Sequence, residues 1–143
     1  MTKEEKQLLL RDLCARLPYG VKILHEGWNY EWDDELSTVE RVVGIDDKFI
    51  YTKVIDTHNG EEYRDDKWPI DTFDDKLFLR PMSSMTEEEN EEYRNIDNKS
   101  YSCPLAYAHI PASERIDWLN RNHFDYRGLI DKGLALEAPE GRY

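Results

Sequence analysis

Four histidines and two cysteines are the residues best suited to metal or nucleophilic chemistry in this 143-residue chain. His25, His58, His109 and His123 are scattered, with no two at the spacing of three to five that a helix or turn uses to present ligands to one metal ion. Cys14 and Cys103 each lack a partner in Cys-x-x-Cys form. The stretch from Asp56 to Lys67 imitates a calcium loop, but Gly60 falls at position five and Lys67 at position twelve, where six and an acid are needed. The expectation is therefore no metal and no cofactor. Cys103 and His109 lie six residues apart, and a thiol–imidazole pair works only within hydrogen-bond reach. An enzyme built on Cys103, or on a convergent pair among the 31 acids, is one alternative reading. The seven glycines occur singly, so no loop is rich enough in glycine to cradle phosphate.

The aromatic residues between positions 28 and 35 carry a more specific signal. Trp28, Tyr30 and Trp32 alternate, and Asp33, Asp34 and Glu35 follow them. In an extended loop alternate residues share one side. The six residues would then form an aromatic strip with an acidic rim, suited to a basic protein or peptide. The competing reading is structural: the rings cover the end of the core.

Charge supports the first reading. Residues 1–25 carry 3 acids and 5 bases, residues 26–75 carry 16 and 5, and residues 76–143 carry 12 and 9, so almost all of the net −12 sits in the middle. A field of that sign repels phosphate backbones and argues against nucleic acid as a ligand of this region. A third reading places nucleic-acid binding on the C-terminal helices, but Arg115, Arg121 and Arg127 are spaced by six and do not form one basic face.

The elements that must position these residues follow from periodicity. At 143 residues one domain over 1–143 is expected, and 4 Trp with 9 Tyr supply a folded core despite 35% charged residues. No apolar run approaches the ~20 residues of a membrane span. The N-terminus lacks the apolar core of a signal peptide, so a cytoplasmic protein with two free thiols, Cys14 facing the core, is expected.

Thr2 and Glu5 form a capping box, and Leu9, Leu10, Leu13 and Leu17 recur at helical spacing. This predicts a helix over 1–19. From Gly20 to Pro81 the pattern turns to strands: Val21–His25, a long loop over 26–37, Val39–Ile45, Phe49–Ile55, Glu61–Arg64 and Leu77–Leu79. Asn59-Gly60 is a strong hairpin signal. A meander with one long early loop is the layout of a small SH3-like barrel. Asp-Asp-Lys occurs at 46–48, 65–67 and 74–76, each copy before a large apolar residue, and reads as turn chemistry. Over 82–143, Thr86 with Glu89 caps one helix, Ser113 a second with Ile116 and Leu119 inward, and Asp125 a third ended by Gly133, with an irregular stretch over 96–111. The fold class is α+β: an SH3-like antiparallel β-barrel with an N-terminal helix and C-terminal helices.

Two blocks carry a resemblance. Ile116-Asp117-Trp118-Leu119-Asn120 with His123-Phe124-Asp125-Tyr126-Arg127-Gly128-Leu129-Ile130 and Ala135-Leu136-Glu137-Ala138-Pro139 is one, and Leu79-Arg80-Pro81 through Glu89 is the other. The chain resembles small uncharacterised proteins encoded in prophages and mobile elements of gut bacteria. The resemblance implies a phage or mobile-element context and brings no activity and no site residues. The leading expectation is a non-catalytic protein-binding module.

Overall fold

The computed structural model describes residues 1–29, 33–98 and 110–143, and the side chains of Trp28, Asn29, Asp34, Asp97, Asn98, Ile110 and Pro111 lie outside the description. The capping box at Thr2 and Glu5 forms and starts α1, Lys3–Arg16. A short 3₁₀ turn over Leu17–Tyr19 ends at Gly20, whose φ of 70° is open to glycine without strain. Five strands follow: β1 Lys22–Asn29, β2 Asp34–Ile45, β3 Phe49–Ile55, β4 Glu62–Pro69 and β5 Lys76–Leu79. Then come α2 Glu87–Asn98, α3 Ile110–Arg121 and β6 Ala135–Glu137.

The strands form one sheet in the order β4-β3-β2-β1-β5-β6, antiparallel throughout except that β6 runs parallel to β5. The chain is α+β with a leading helix and later helices, as the periodicity predicts. The sheet is open, however: β4 and β6 are its edges, so the barrel expected from the meander is not formed. The β4 edge ends on Pro69, which has no N–H to offer, and the β3–β4 register breaks between Val54 and Ile55. Both features discourage another strand from pairing there.

The larger correction concerns the loop expected over 26–37: residues 26–29 and 34–37 are strand. β1 runs on to Asn29 and β2 begins at Asp34, paired in continuous register from Lys22–Arg41 to Asn29–Asp34. Aromatic residues favour strands, and the acids Glu26 and Glu35 occupy exposed positions. β5 pairs with β1 only at Ile23 and Leu24, and β3 reaches β2 only as far as Val39. Glu26–Asn29 and Asp34–Ser37 therefore extend beyond both neighbours as a two-stranded arm.

One face of the sheet packs on α1. Leu9 and Leu13 are fully buried against Val21, Ile23, Val42, Ile50, Leu77 and Leu79, with Leu10 and Leu17 at the margin. Burying such a side chain contributes roughly 1.5–3 kcal/mol. Cys14 is exposed, not inward. The inward positions of this turn belong instead to Asp12 and Arg16, which are fully buried and paired at 2.7 Å. Asp12 also accepts from Arg127 at 3.0 Å, and Arg16 donates to the Phe124 carbonyl at 2.7 Å, tying α1 to the C-terminal segment. Cys103, Tyr101, Leu105 and Tyr107 lie outside the described residues.

A second cluster joins α2 to α3 through Ile96, Trp118, Leu119 and Phe124. The Thr86–Glu89 capping box forms, and Glu89 also holds Arg80 through two bonds of 2.8 Å. Three local expectations fail. α3 begins at Ile110, ahead of Ser113, and Ile116 is exposed while Leu119 is buried. Asp125 bonds the Leu129 and Ile130 amides, yet these close turns up to Gly133 in place of a helix. Of the three Asp-Asp-Lys copies, 46–48 makes a turn through Asp46, but 65–67 lies inside β4.

Removing one member of a buried charge network strands the others without compensation. Asp12→Ala is expected to cost about 3–5 kcal/mol of unfolding free energy. Urea denaturation measures this, and a loss below about 1 kcal/mol, the size of an exposed pair, contradicts the network's role.

Candidate functional site

The arm begins where the apolar face of the sheet stops. On β1 the inward alternation runs Val21, Ile23, His25, Gly27, and on β2 it runs Val42, Glu40, Thr38, Leu36, so the register places His25 across from Thr38 and Ile23 across from Glu40. Polar residues thus replace apolar ones at the same parity, and the core changes character at the root of the arm.

Glu40 is fully buried. Its carboxylate accepts from Thr52 Oγ1 at 2.5 Å, Trp68 Nε1 at 2.9 Å and Thr38 Oγ1 at 3.1 Å. Those donors come from β3, β4 and β2 itself. The Trp68 indole stacks on the His25 ring, with centroids 3.9 Å apart and planes at 23°. His25 Nδ1 lies 3.0 Å from both carboxylate oxygens of Asp75, just before β5. Side-chain exposure is 17% for His25 and 8% for Asp75. Burial pushes the Asp75 carboxyl up to about 6, against the pull of His25 and with help from Glu40 and Asp74. A Cβ at Gly27 would stand 3.1 Å from His25 Nε2, so the absence of a side chain there leaves room for the ring.

Asp75 orients the imidazole through one nitrogen and leaves the other, the arrangement of a supported general base. Glu40 and Asp75 are an interacting carboxylate pair, but Glu40 has no exposed surface through which to meet a substrate. Among the described residues no group of three His, Cys, Asp or Glu side chains converges as a metal would require.

The arm itself carries Glu26, Glu31, Asp33, Asp34 and Glu35, with no Lys or Arg between positions 26 and 37. Glu26, Asp33 and Glu35 are exposed. Asp33 has φ of 51°, a left-handed turn conformation that Asp tolerates. A cleft of about 440 Å³ is lined by Glu26, Gly27, Glu35, Leu36 and Ser37. On β4 three acids meet bases: Glu62 with Arg41, Asp65 with Lys53 at 2.6 Å and Asp66 with Arg64 at 2.7 Å.

Of the six residues that the sequence singles out, the register sets Trp28 across from Glu35 and places Asp34 across from Asn29. Asp33 lies in the turn, while Tyr30 and Trp32 lie outside the described residues. Because 28 and 34–35 sit on two paired strands, they are not points along one extended loop. The C-terminal arginines serve the fold: Arg127 bonds Asp12, and Arg121 sits over the Tyr19 ring at 5.9 Å. The paired helices expected over 113–133 are not both present, since only α3 forms. No helix among the described residues is long and apolar enough to cross a membrane.

Sequence reasoning missed His25, Glu40, Trp68 and Asp75 as a set. A signal existed: Glu40 stands at an inward position of a β-branched strand, and His25 continues the inward series of Val21 and Ile23.

A carboxyl with a raised folded-state value favours folding fully below its unfolded value of 3.8, and that contribution fades as pH rises through about 6. His123 acts oppositely: burial lowers it to about 4, so its contribution is lost as pH falls from 6.5 through that value. Comparing wild type with Asp75→Asn cancels His123. The stability of wild type relative to the variant is expected to fall between pH 4 and pH 6, as read by denaturant unfolding; a pH-independent difference contradicts the buried Asp75.

Comparison with known proteins finds no matching family model, no matching curated protein and no matching solved structure.

Proposed function

We propose that the protein is a non-catalytic binding module of a phage or mobile element, and that its acidic β1–β2 arm docks on a basic surface of a protein partner. The observation that carries this reading is the arm: two strands pass beyond both neighbouring strands, in a stretch, 26–37, whose sequence holds five acids and no Lys or Arg. A projecting hairpin reaches a partner surface that the sheet itself would not. Its charges are screened beyond about 8 Å at physiological salt, so they act mainly on encounter rate and partner choice. Affinity needs an anchor, and Trp28 or Trp32 supplies the residue type that dominates interface energetics. The like charge of the arm disfavours nucleic acid as the partner.

The test separates the arm from net charge in general. The probe is a fluorescent decalysine peptide, and binding is read by anisotropy. Asp33→Asn, Asp34→Asn and Glu35→Gln together should weaken binding about tenfold, since three ion pairs with the peptide at about 0.5 kcal/mol each sum to that factor. They should also flatten the salt dependence. The equally discharged control, Glu87→Gln with Glu88→Gln and Glu91→Gln in α2, should change binding less than about twofold on the same scale. Equal effects of the two triple variants overturn the reading.

A further inference from the structure

The root of the arm holds an ionisable side chain in a place where its charge is costly. Asp75 enters from the segment before β5 and meets His25 on β1, which is the last inward residue of that strand before Gly27 and the arm. The ring above it is clamped by Trp68 of β4, and Trp68 is in turn fixed by Glu40 of β2. These contacts join β1 and β2, just before the arm, to β4 and to the lead-in of β5; beyond them neither β3 nor β5 pairs with the arm. We propose that the Asp75–His25 pair is a proton-operated clamp on the root of the β1–β2 arm, holding it more tightly in mild acid than at neutral pH.

The sign follows from what surrounds Asp75. His25 faces it from β1 and Glu40 from β2, Glu26 lines a surface cleft with it, and Asp74 and Lys76 flank it in the chain, with Trp68 of β4 stacked over the histidine. Three of these neighbours are acids. Taking the proton removes a buried charge that desolvation and Glu40 oppose, while an arm lifted from its root returns Asp75 to water. The closed form therefore binds the proton more strongly than the lifted form, and proton binding favours closure. The device works whatever the arm binds, so it stands or falls separately from the docking reading.

Backbone amides report it directly. The N–H groups of Gly27 and Leu36 sit in a directly opposed pair within the arm. Their hydrogen-exchange rates in the intact protein, divided by the intrinsic rate at each pH, give the protection of the arm. With Asp75 at about 6 when closed and 3.8 when in water, protection should be about tenfold greater at pH 5 than at pH 7. Asp75→Asn, a neutral side chain of the same shape, should hold both amides at the protected level with less than about twofold difference between the two pH values. In wild type alone, the Gly27 and Leu36 amide shifts should titrate with the midpoint of the Asp75 carboxyl carbon, which keeps the test open if the variant does not fold. Equal protection at the two pH values, an Asn variant as pH-dependent as wild type, or arm amides that ignore the Asp75 midpoint each overturn the clamp.

Discussion

A carboxylate with no exposed surface must find its hydrogen bonds inside the protein, and Glu40 is the constraint on which the site end of this structure depends. It stands among valines in β2, at a position where the strand alternation points it into the core. Three donors from three strands answer it. That demand draws Trp68 across the face of the sheet, the indole supplies the surface on which His25 stacks, and His25 holds Asp75. Loss of any one donor would leave one of the three hydrogen bonds of a buried carboxylate unmade, at about 1–3 kcal/mol. The network also marks where the core ends. Apolar side chains under α1 hold one end of β1 and β2, polar ones hold the next stretch, and the arm lies beyond both.

The rest of the chain is tied together by its own polar contacts. Asp12 and Arg16 bind α1 to the segment after α3 through Arg127 and the Phe124 carbonyl. The C-terminal residues return to the sheet, where the Tyr143 hydroxyl accepts from the Lys22 amide at 2.9 Å and donates to the Phe78 carbonyl at 2.8 Å. Burial pushes that phenol above its ordinary range, so it remains a donor at any ordinary pH. On the opposite edge β4 is guarded by Pro69, and its acids are matched by bases. The sequence of the arm, in contrast, holds no Lys or Arg between positions 26 and 37.

Much of the fold was legible as periodicity. The leucine stripe of α1, both capping boxes, the β3 strand and the Asn59-Gly60 turn all follow from local chemistry and all form. What failed was local in a different way. The stretch Glu26 to Ser37 reads as loop because its acids look like turn residues, but Glu26 and Glu35 are exposed strand residues, and an acid is free to occupy an exposed strand position. Sheet closure was misjudged because strand order depends on distant pairing: β6 joins β5 across more than fifty residues. The candidate site was half legible. The acids and tryptophans of the arm are visible in the chain, whereas His25, Glu40, Trp68 and Asp75 become one network only when four separate segments meet.

The central claim is that residues 26–29 and 34–37 are paired strands fastened at their root and not a loop. In an antiparallel pair the opposed residues that do not exchange hydrogen bonds bring their Cα atoms to about 4.5 Å, close enough for strong Hα–Hα contacts. The Val42 amide bonds the Val21 carbonyl, which sets the alternation and makes Glu26–Ser37 such a pair. A nuclear Overhauser spectrum of the intact protein at neutral pH should therefore show a strong cross-peak between the Glu26 and Ser37 Hα protons. Contacts between sequential neighbours alone across this stretch would contradict the account.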